Sequence, residues 1–507
     1  MPRALPAELA RLRKEVERVA VEYGLDFFDV IFEMVDYDEM NMVAAYDGFP
    51  VRYPHWRWGM EYERLSKTHT YGLQRIYELV INNSPSYAYL LTSNTMTDHK
   101  LVMAHVYAHS DFFKNNAFFS STNRKMLDAM ANHAERIHSY MSTHGVEPVE
   151  EFIDWCLSID NLIDYHTPPD MRRRRTEEPV GRRRAAGRGA IKFRTKDYMD
   201  RFINPPELVD KRERDAEKET ERMIRTPAHP ERDVMLFLME HAPLADWQRS
   251  ILNMVREEAY YFVPQMMTKI MNEGWATYWH SKMMTERLVR DDELIDYAER
   301  HSGTVSTSPG RINPYKIGVE LYRYIEDRWN KGRFGREWED CDDYERKRKW
   351  DTGMGLGRRK IFEVRRIYND ITFVDEYLTP EFAEEQRLFV YGFDPASRRF
   401  VILNRDPTAV KKSLLVALTN CGQPLIYLED ANYRNRSELL LVHRHFGFDL
   451  KLDQAVDTMK NLFKIWTRPV HIRTQVGNKR ILLSFDGKKH TQEVLSENER
   501  TETVGQG

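Results

Sequence analysis

The chain has little cysteine, no long hydrophobic run and no excess charge of either sign. Its three cysteines, Cys156, Cys341 and Cys421, are far apart and match no CxxC spacing, which argues against a disulfide framework and a thiolate zinc site. This usage fits a reducing compartment, so we expect a cytoplasmic protein. No run of about 20 apolar residues occurs, and the N-terminus lacks the apolar segment of a secretory signal. We therefore predict no transmembrane segment.

The balance of charge excludes a general attraction to nucleic acid. The chain has 76 Lys and Arg against 79 Asp and Glu, so no global field draws it onto a polyanion. Cations cluster only in the Arg-rich segment 171–196. A nucleic-acid contact there is the weaker alternative, because no aromatics alternate with the arginines for base stacking. We interpret the segment as a flexible surface insertion.

The length of 507 residues predicts more than one domain, and 41% hydrophobic residues provide ample core. We predict a mainly α N-terminal domain over 1–330, with a cavity like that of a metallopeptidase. A charged linker and helix follow over 331–388. A small α+β domain over 389–507 ends in a frayed tail from Ser496.

Periodicity of three and four residues predicts helices, whereas short apolar runs between turn residues predict strands. The aromatic-rich passage 50–59 is expected to be an ordered loop, because its prolines disfavour a helix. Gly353–Gly357 is expected to be a linker, because it lacks the GxxxxGK[ST] spacing of a phosphate loop. The predicted helices are 9–23, 71–81, 96–113, 123–143, 233–241, 246–262, 264–289, 314–329, 408–419 and 452–466. The predicted strands are 399–403, 424–428, 438–442, 471–474 and 480–484.

Two segments suggest a buried metal site. His105 and His109 are four residues apart and share one helix face, so both imidazoles can reach one ion. Glu273 and His280 are seven apart, also on one face, in a stretch too apolar to leave a carboxylate unpaired. A divalent metal held by two His and one Glu supplies the partner. We therefore predict a zinc site formed by His105, His109 and Glu273, with an open fourth position for water activation.

The position after His105 weakens the enzymatic interpretation. HExxH metallopeptidases carry their general base there, and this chain has Val106. The base must then come from elsewhere, and we expect Glu257, Glu258 or His280 to supply catalytic groups. The alternative that His105 and His109 only pack in the core stays open, because an HxxxH pair often arises by chance.

Other polar residues carry weaker alternatives. Asp111 can orient an imidazole or cap a helix end. Glu135, with an ExxH pair, is a candidate for a two-metal carboxylate site, although that class needs a repeated motif. His55 and Trp56 either line the same cavity or close the core as part of an aromatic loop.

Seven stretches together resemble the stage V sporulation protein R (SpoVR) family over nearly the whole chain. They are Phe49–Trp56, Tyr71–Ile81, Ala104–Asn116, Asp246–Arg249, Tyr261–Ala276, Asn313–Tyr315 and Lys360–Arg365. The resemblance implies a cytoplasmic bacterial or archaeal protein that spore formers use in building the cortex, a peptidoglycan layer. It also implies an association with a serine protein kinase in organisms that do not sporulate.

A shorter segment, Asn272–Ala276, is similar to the Asn-Glu-Gly-Phe-Ala segment of gluzincin aminopeptidases. That similarity implies that Glu273 is the third zinc ligand, although Val106 and the long separation of the two segments depart from those enzymes. The leading hypothesis is a zinc-dependent hydrolase of peptide or amide bonds with a peptide or peptidoglycan-derived substrate. The competing one is a non-catalytic scaffold or regulator that binds a kinase or a morphogenetic partner.

Overall fold

The computed structural model describes residues 4–70, 78–167 and 230–495. The described chain is mostly helical, with a β-sheet region near the C-terminus, as the sequence predicted. The Arg-rich insertion 171–196, most of the predicted helix 71–81 and the tail from Ser496 lie outside the described residues. Among the helices that the structure describes, none has the length and apolar composition needed to cross a membrane.

The α-helices, numbered along the described chain, are α1 Ala7–Glu22, α2 Tyr37–Ala45, α3 Trp56–Thr70, α4 Met96–Asn115, α5 Met126–His144, α6 Val146–Leu157, α7 Val234–His241, α8 Asp246–Met267, α9 Lys269–Met283, α10 Leu294–Thr304, α11 Pro314–Asn330, α12 Arg336–Glu339, α13 Tyr344–Arg348, α14 Gly357–Ile367, α15 Asp370–Tyr377, α16 Pro380–Glu385, α17 Pro407–Leu418 and α18 Leu452–Trp466. The strands are β1 Val30–Val35, β2 Glu78–Ile81, β3 Ser86–Leu91, β4 Val390–Asp394, β5 Arg399–Asn404, β6 Leu425–Tyr433, β7 Glu438–Arg444, β8 Val470–Val476, β9 Lys479–Phe485 and β10 His490–Val494.

The chain divides into two compact units, which are described separately. Unit 1 comprises 1–139 and 261–422, and unit 2 comprises 140–260 and 423–507. These units differ from the boundaries expected at 330 and 388, because the helical region contributes to both. The predicted domain boundaries stay a prediction, since compactness alone does not establish which part folds independently.

Unit 1 holds its core between α1, α4, α9, α11 and α14, beside a small sheet of order β1-β3-β2. In this sheet β1 runs parallel to β3, whereas β2 runs antiparallel to it. Helix α4 starts with a reciprocal cap, in which the Thr95 hydroxyl accepts from the Asp98 amide and the Asp98 carboxylate accepts from the Thr95 amide. This cap fixes where the helix carrying the two predicted histidines begins.

Unit 2 contains a five-stranded sheet of order β10-β9-β8-β7-β6. All its pairs are antiparallel except β7 and β8, which α18 connects as a crossover. The amphipathic face of α18 buries Met459, Leu462 and Ile465. Four of the five predicted C-terminal strands correspond to β6–β9, and the fifth is β5 of unit 1.

Several local predictions were wrong. Residues 78–81, predicted as the end of a helix, form β2, and the sheet that it joins was missed because its strands are short apolar runs. The loop expected through Gly59 ends earlier, since α3 begins at Trp56. Pro264 lies inside α8 instead of starting the next helix, which begins at Lys269.

Candidate metal centre

The site depends on a close crossing of α9 and α11. An added Cβ at Gly274 would lie 2.4 Å from the Gly318 Cα, and one at Gly318 would lie 2.2 Å from the Ile270 carbonyl oxygen. Only glycine at both positions lets the two backbones touch. Helix α9 also packs on α4, so the crossing determines how Glu273 faces His105 and His109.

The three predicted ligands converge as the sequence indicated. Glu273 Oε2 lies 3.6 Å from His105 Nε2 and 3.5 Å from His109 Nε2. All three side chains are buried, and their ligand atoms lie within 4.8 Å of one another. Two ligands on a tetrahedral zinc ion are separated by roughly 3.3 Å when each bond is about 2.0–2.1 Å. The observed separations suit joint ligation better than direct hydrogen bonding.

Glu273 Oε2 is a buried acceptor without a hydrogen-bond donor in the described part of the chain. Its other oxygen, Oε1, accepts from Lys269 Nζ at 2.6 Å. Leaving a carboxylate oxygen buried and unsatisfied is costly. The donor set therefore fits a cation, and the lysine leaves one oxygen to bind it.

Polar neighbours orient both imidazoles. His109 Nδ1 lies 2.9 Å from Asn272 Oδ1, and because an amide oxygen only accepts, Nδ1 carries the proton. His105 Nδ1 lies 2.7 Å from His280 Nδ1. The Nε2 atoms of both rings face Glu273, and in His109 the proton on Nδ1 leaves the Nε2 lone pair available for a metal, as is common when a second group holds the other ring nitrogen.

The electrostatics favour an ionised Glu273. Burial on its own raises the pKa of the Glu273 carboxyl, but His105, His109 and the Lys269 ammonium outweigh it and bring that pKa well below its usual range. Burial, and then the neighbouring His105, lowers the pKa of His280 well below its usual range. Glu273 is therefore ionised, the state in which a carboxylate binds a metal, and the adjacent His280 is neutral.

His280 contacts a ligand but lies outside the ligand set. Its Nε2 is 3.3 Å from His301 Nδ1, so His105, His280 and His301 form a row of rings. Glu257 and Glu258, expected to supply a base, lie on the part of α8 that belongs to unit 2, and neither is in the cluster. Their catalytic roles stay a prediction.

Asp111 plays neither of the roles that we weighed for it. Its carboxylate accepts from the Trp275 indole at 2.8 Å and from the Asp26 amide at 2.8 Å, and its Oδ2 lies 3.5 Å from Arg365. Burial raises the pKa of Asp111 to about 6 against these donors. Asp111 therefore helps to hold α9 on α4 through Trp275.

The remaining candidates lie elsewhere. Glu135 is exposed on α5, and among the residues that the structure describes the two-histidine, one-glutamate cluster is the single group with metal-ligand geometry. His55 is buried against the rings of Trp56 and Trp58, while Trp56 is half exposed.

Sequence reasoning missed three contributors to the site. Asn272 precedes Glu273 directly, so its adjacency was an available signal. Lys269 lies one helical turn before Glu273, which also predicts contact. His301 lies on α10 and no spacing links it to the cluster, so it had no signal in the sequence.

Comparison with known proteins identifies the family. The protein-family model described as "SpoVR like protein" matches residues 4–423. The chain is similar to "Uncharacterized protein YcgB" of Escherichia coli (strain K12), with 28% identity over 484 residues that cover 87% of this chain and 90% of the relative. No solved structure matches. The match includes both histidines and Glu273, and the chain belongs to the SpoVR family.

Proposed function

We propose that this protein is a zinc-dependent hydrolase of peptide or amide bonds, with His105, His109 and Glu273 as the metal ligands. The observation that carries the proposal is the convergence of two Nε2 atoms and Glu273 Oε2 on one buried point. Two imidazoles and one carboxylate are the ligand set of several hydrolytic zinc sites. Bound zinc would lower the pKa of a water molecule toward neutrality.

The chain's own residues would prepare the site in two ways. Asn272 and His280 hold the imidazole rings, and Lys269 keeps Glu273 Oε1 from turning toward the ion. Lys269 is 59% exposed although Glu273 is buried, so the carboxylate lies one side chain below the surface. A substrate amide would approach from the Lys269 side. The resemblance to cortex-forming proteins makes peptides of the cell wall the first substrates to test.

A specific observation favours a second candidate function, a scaffold or regulator with a structural metal. The three ligands are 2%, 4% and 6% exposed, and the ligand cluster contains no further carboxylate to accept a proton from water. A closed, base-free metal site is typical of structural zinc. In this alternative the protein would bind a serine protein kinase or a morphogenetic partner, and the ion would lock α4 to α9.

An amide-cleavage assay distinguishes the two. Zinc-loaded wild type and Glu273→Gln are incubated with peptides and peptidoglycan fragments, and new amines are measured. The matched control is Glu293→Gln, because Glu293 is an equally buried glutamate that pairs with Lys100 away from the site.

The hydrolase proposal predicts cleavage by wild type and by Glu293→Gln, and none by Glu273→Gln. Absence of cleavage by zinc-loaded wild type over a broad substrate panel would contradict it. If that preparation retained zinc and captured a protein partner independently of Glu273, the scaffold function would replace it.

A further inference from the structure

A strongly apolar hairpin is exposed on unit 1. Strands β4 and β5 pair as an antiparallel two-stranded sheet, and all six residues of β5 are exposed. Four consecutive large apolar side chains are among them, Phe400 at 48%, Val401 at 39%, Ile402 at 38% and Leu403 at 67%. Neighbouring residues of a strand face opposite sides, so both faces of β5 present apolar surface. Such contiguous patches mark interaction surfaces.

The backbone of β5 is also open. In the described part of the chain β5 pairs only with β4, so its second edge presents amide and carbonyl groups that no strand satisfies. Isolated two-stranded hairpins are marginally stable in water. An additional strand along this edge would satisfy the backbone and cover the apolar side chains together.

The hairpin continues into a cleft of about 510 Å³ in the same unit. Val390 and Tyr391 of β4 line this cleft, and on another wall Phe400 lies against Gly310, where an added Cβ would be 2.3 Å from the ring. Apolar hairpin and cleft therefore form one continuous surface, which we call the hairpin surface.

Positive charge surrounds the hairpin surface. Arg311, Lys316 and Arg387 line the cleft with one carboxylate, Glu320, which pairs with Lys316 at 3.0 Å. The carboxylates of helix α16, Glu381, Glu384 and Glu385, are not among the lining side chains.

The hairpin ends add three more arginines, Arg398, Arg399 and Arg405. Two carboxylates lie beside them, Asp394 and Asp406, and each accepts from a backbone amide and keeps its charge, so the hairpin ends carry three positive charges against two negative ones. The surface therefore attracts acidic groups although the whole chain has a net charge of −3.

The same charges oppose a second copy of this chain as the occupant. Antiparallel pairing of two β5 strands with residue 399 opposite residue 404 would place Arg398 of each copy beside Arg405 of the other. Parallel pairing would align identical arginines. Like charges directly opposite each other across strands are destabilising.

We propose that the hairpin surface binds an extended segment of a partner protein, an apolar run flanked by acidic residues, which adds to the open edge of β5. The segment's backbone pairs with β5, its apolar side chains cover Val401 and Leu403, and its carboxylates meet the arginines at the hairpin ends and in the cleft. This binding is independent of the metal centre.

The test uses the full-length protein and a fluorescein-labelled peptide, Asp-Glu-Val-Thr-Phe-Thr-Val-Thr-Glu-Asp, followed by fluorescence anisotropy. The control peptide replaces each acidic residue by lysine. We expect saturable binding of the acidic peptide, at least about 10-fold tighter than the lysine peptide, and weakened by salt. Equal binding of both peptides, or no binding of the acidic one, would overturn the proposal.

Variants locate the binding. The double variant Arg398→Glu with Arg399→Glu should weaken binding of the acidic peptide at least about 10-fold, whereas the control Arg359→Glu, on exposed α14 surface outside the cleft, should leave it within about twofold. An equal loss in both would contradict the assignment to the hairpin.

Two further measurements complete the test, and the first of them needs no variant. Hydrogen exchange of wild type should show that the acidic peptide protects the β5 amides from Val401 to Leu403, and unchanged exchange there would refute strand addition. Light scattering should give the same molar mass for wild type and Val401→Lys, because β5 is not expected to mediate self-association. A dimer lost in that variant would identify a second copy as the occupant and overturn the proposal.

Discussion

Replacing Gly274 by alanine tests whether the crossing of α9 and α11 controls the metal centre. The added Cβ would lie 2.4 Å from the Gly318 backbone, whereas ordinary contact begins at 3.4 Å, so the helices must separate by about 1 Å. Both neighbours are backbone atoms, and no side chain can rotate away. Overpacking of this kind costs about 1–3 kcal/mol, and we expect the upper end, offset by about 1 kcal/mol from alanine's better helix propensity.

The net loss of about 2 kcal/mol corresponds to a fall in Tm of about 3 °C, because unit 1 spans about 300 residues and the unfolding entropy is about 2.1 cal/mol/K per residue. Differential scanning calorimetry measures it. The matched control is Gly303→Ala in α10, where an added Cβ meets nothing within 4 Å. That variant should keep or slightly raise the Tm. A Gly274→Ala protein as stable as Gly303→Ala would refute the reasoning that this contact is tight.

Two other predictions concern single side chains. Asn272→Leu removes the acceptor for His109 Nδ1, so zinc affinity measured by chelator competition should fall about 10–100-fold. The control Asn272→Asp keeps an acceptor oxygen and should retain the affinity. Equal zinc affinities of the two variants would contradict the orienting role of Asn272. In unit 2, burial and then the neighbouring His445 lower the pKa of His443 to about 4. Its unfolded pKa is about 6.5. Protonation therefore favours the unfolded state, and stability in urea should be constant above about pH 6.5 and decline toward pH 4, less so in His443→Gln.

The convergence of His105, His109 and Glu273 was predictable in part, because part of it depends on local geometry. His105 and His109 share a face by their spacing alone, and Glu273 sits in a stretch where burial required a partner. The relation between the two segments was not predictable from spacing, since Glu273 lies 164 positions after His109. That link came from the need of a buried Glu273 for a partner and from the similarity of Asn272–Ala276 to gluzincin aminopeptidases.

The fold was predictable where periodicity was strong and regular. Helix α4 and strands β6–β9 follow their patterns closely. The small sheet of unit 1 was missed, because β1 and β3 are short runs that helix and strand patterns describe equally well. The exposure of β5 was also missed: its sequence, Phe-Val-Ile-Leu, predicts a strand but places it in a core, and only tertiary structure reveals that no core covers it.

The most direct test of the central claim is the metal content of protein purified without added metal, for wild type and Glu273→Gln. His99→Gln is the matched control, because His99 is buried on the same helix outside the ligand cluster. The account predicts about one zinc per chain in wild type and in His99→Gln, and strongly reduced zinc in Glu273→Gln. X-ray absorption of the wild type should give two nitrogen ligands and one carboxylate oxygen at about 2.0–2.2 Å from the zinc. Wild type that binds no stoichiometric metal, or Glu273→Gln that retains as much zinc as wild type, would contradict it.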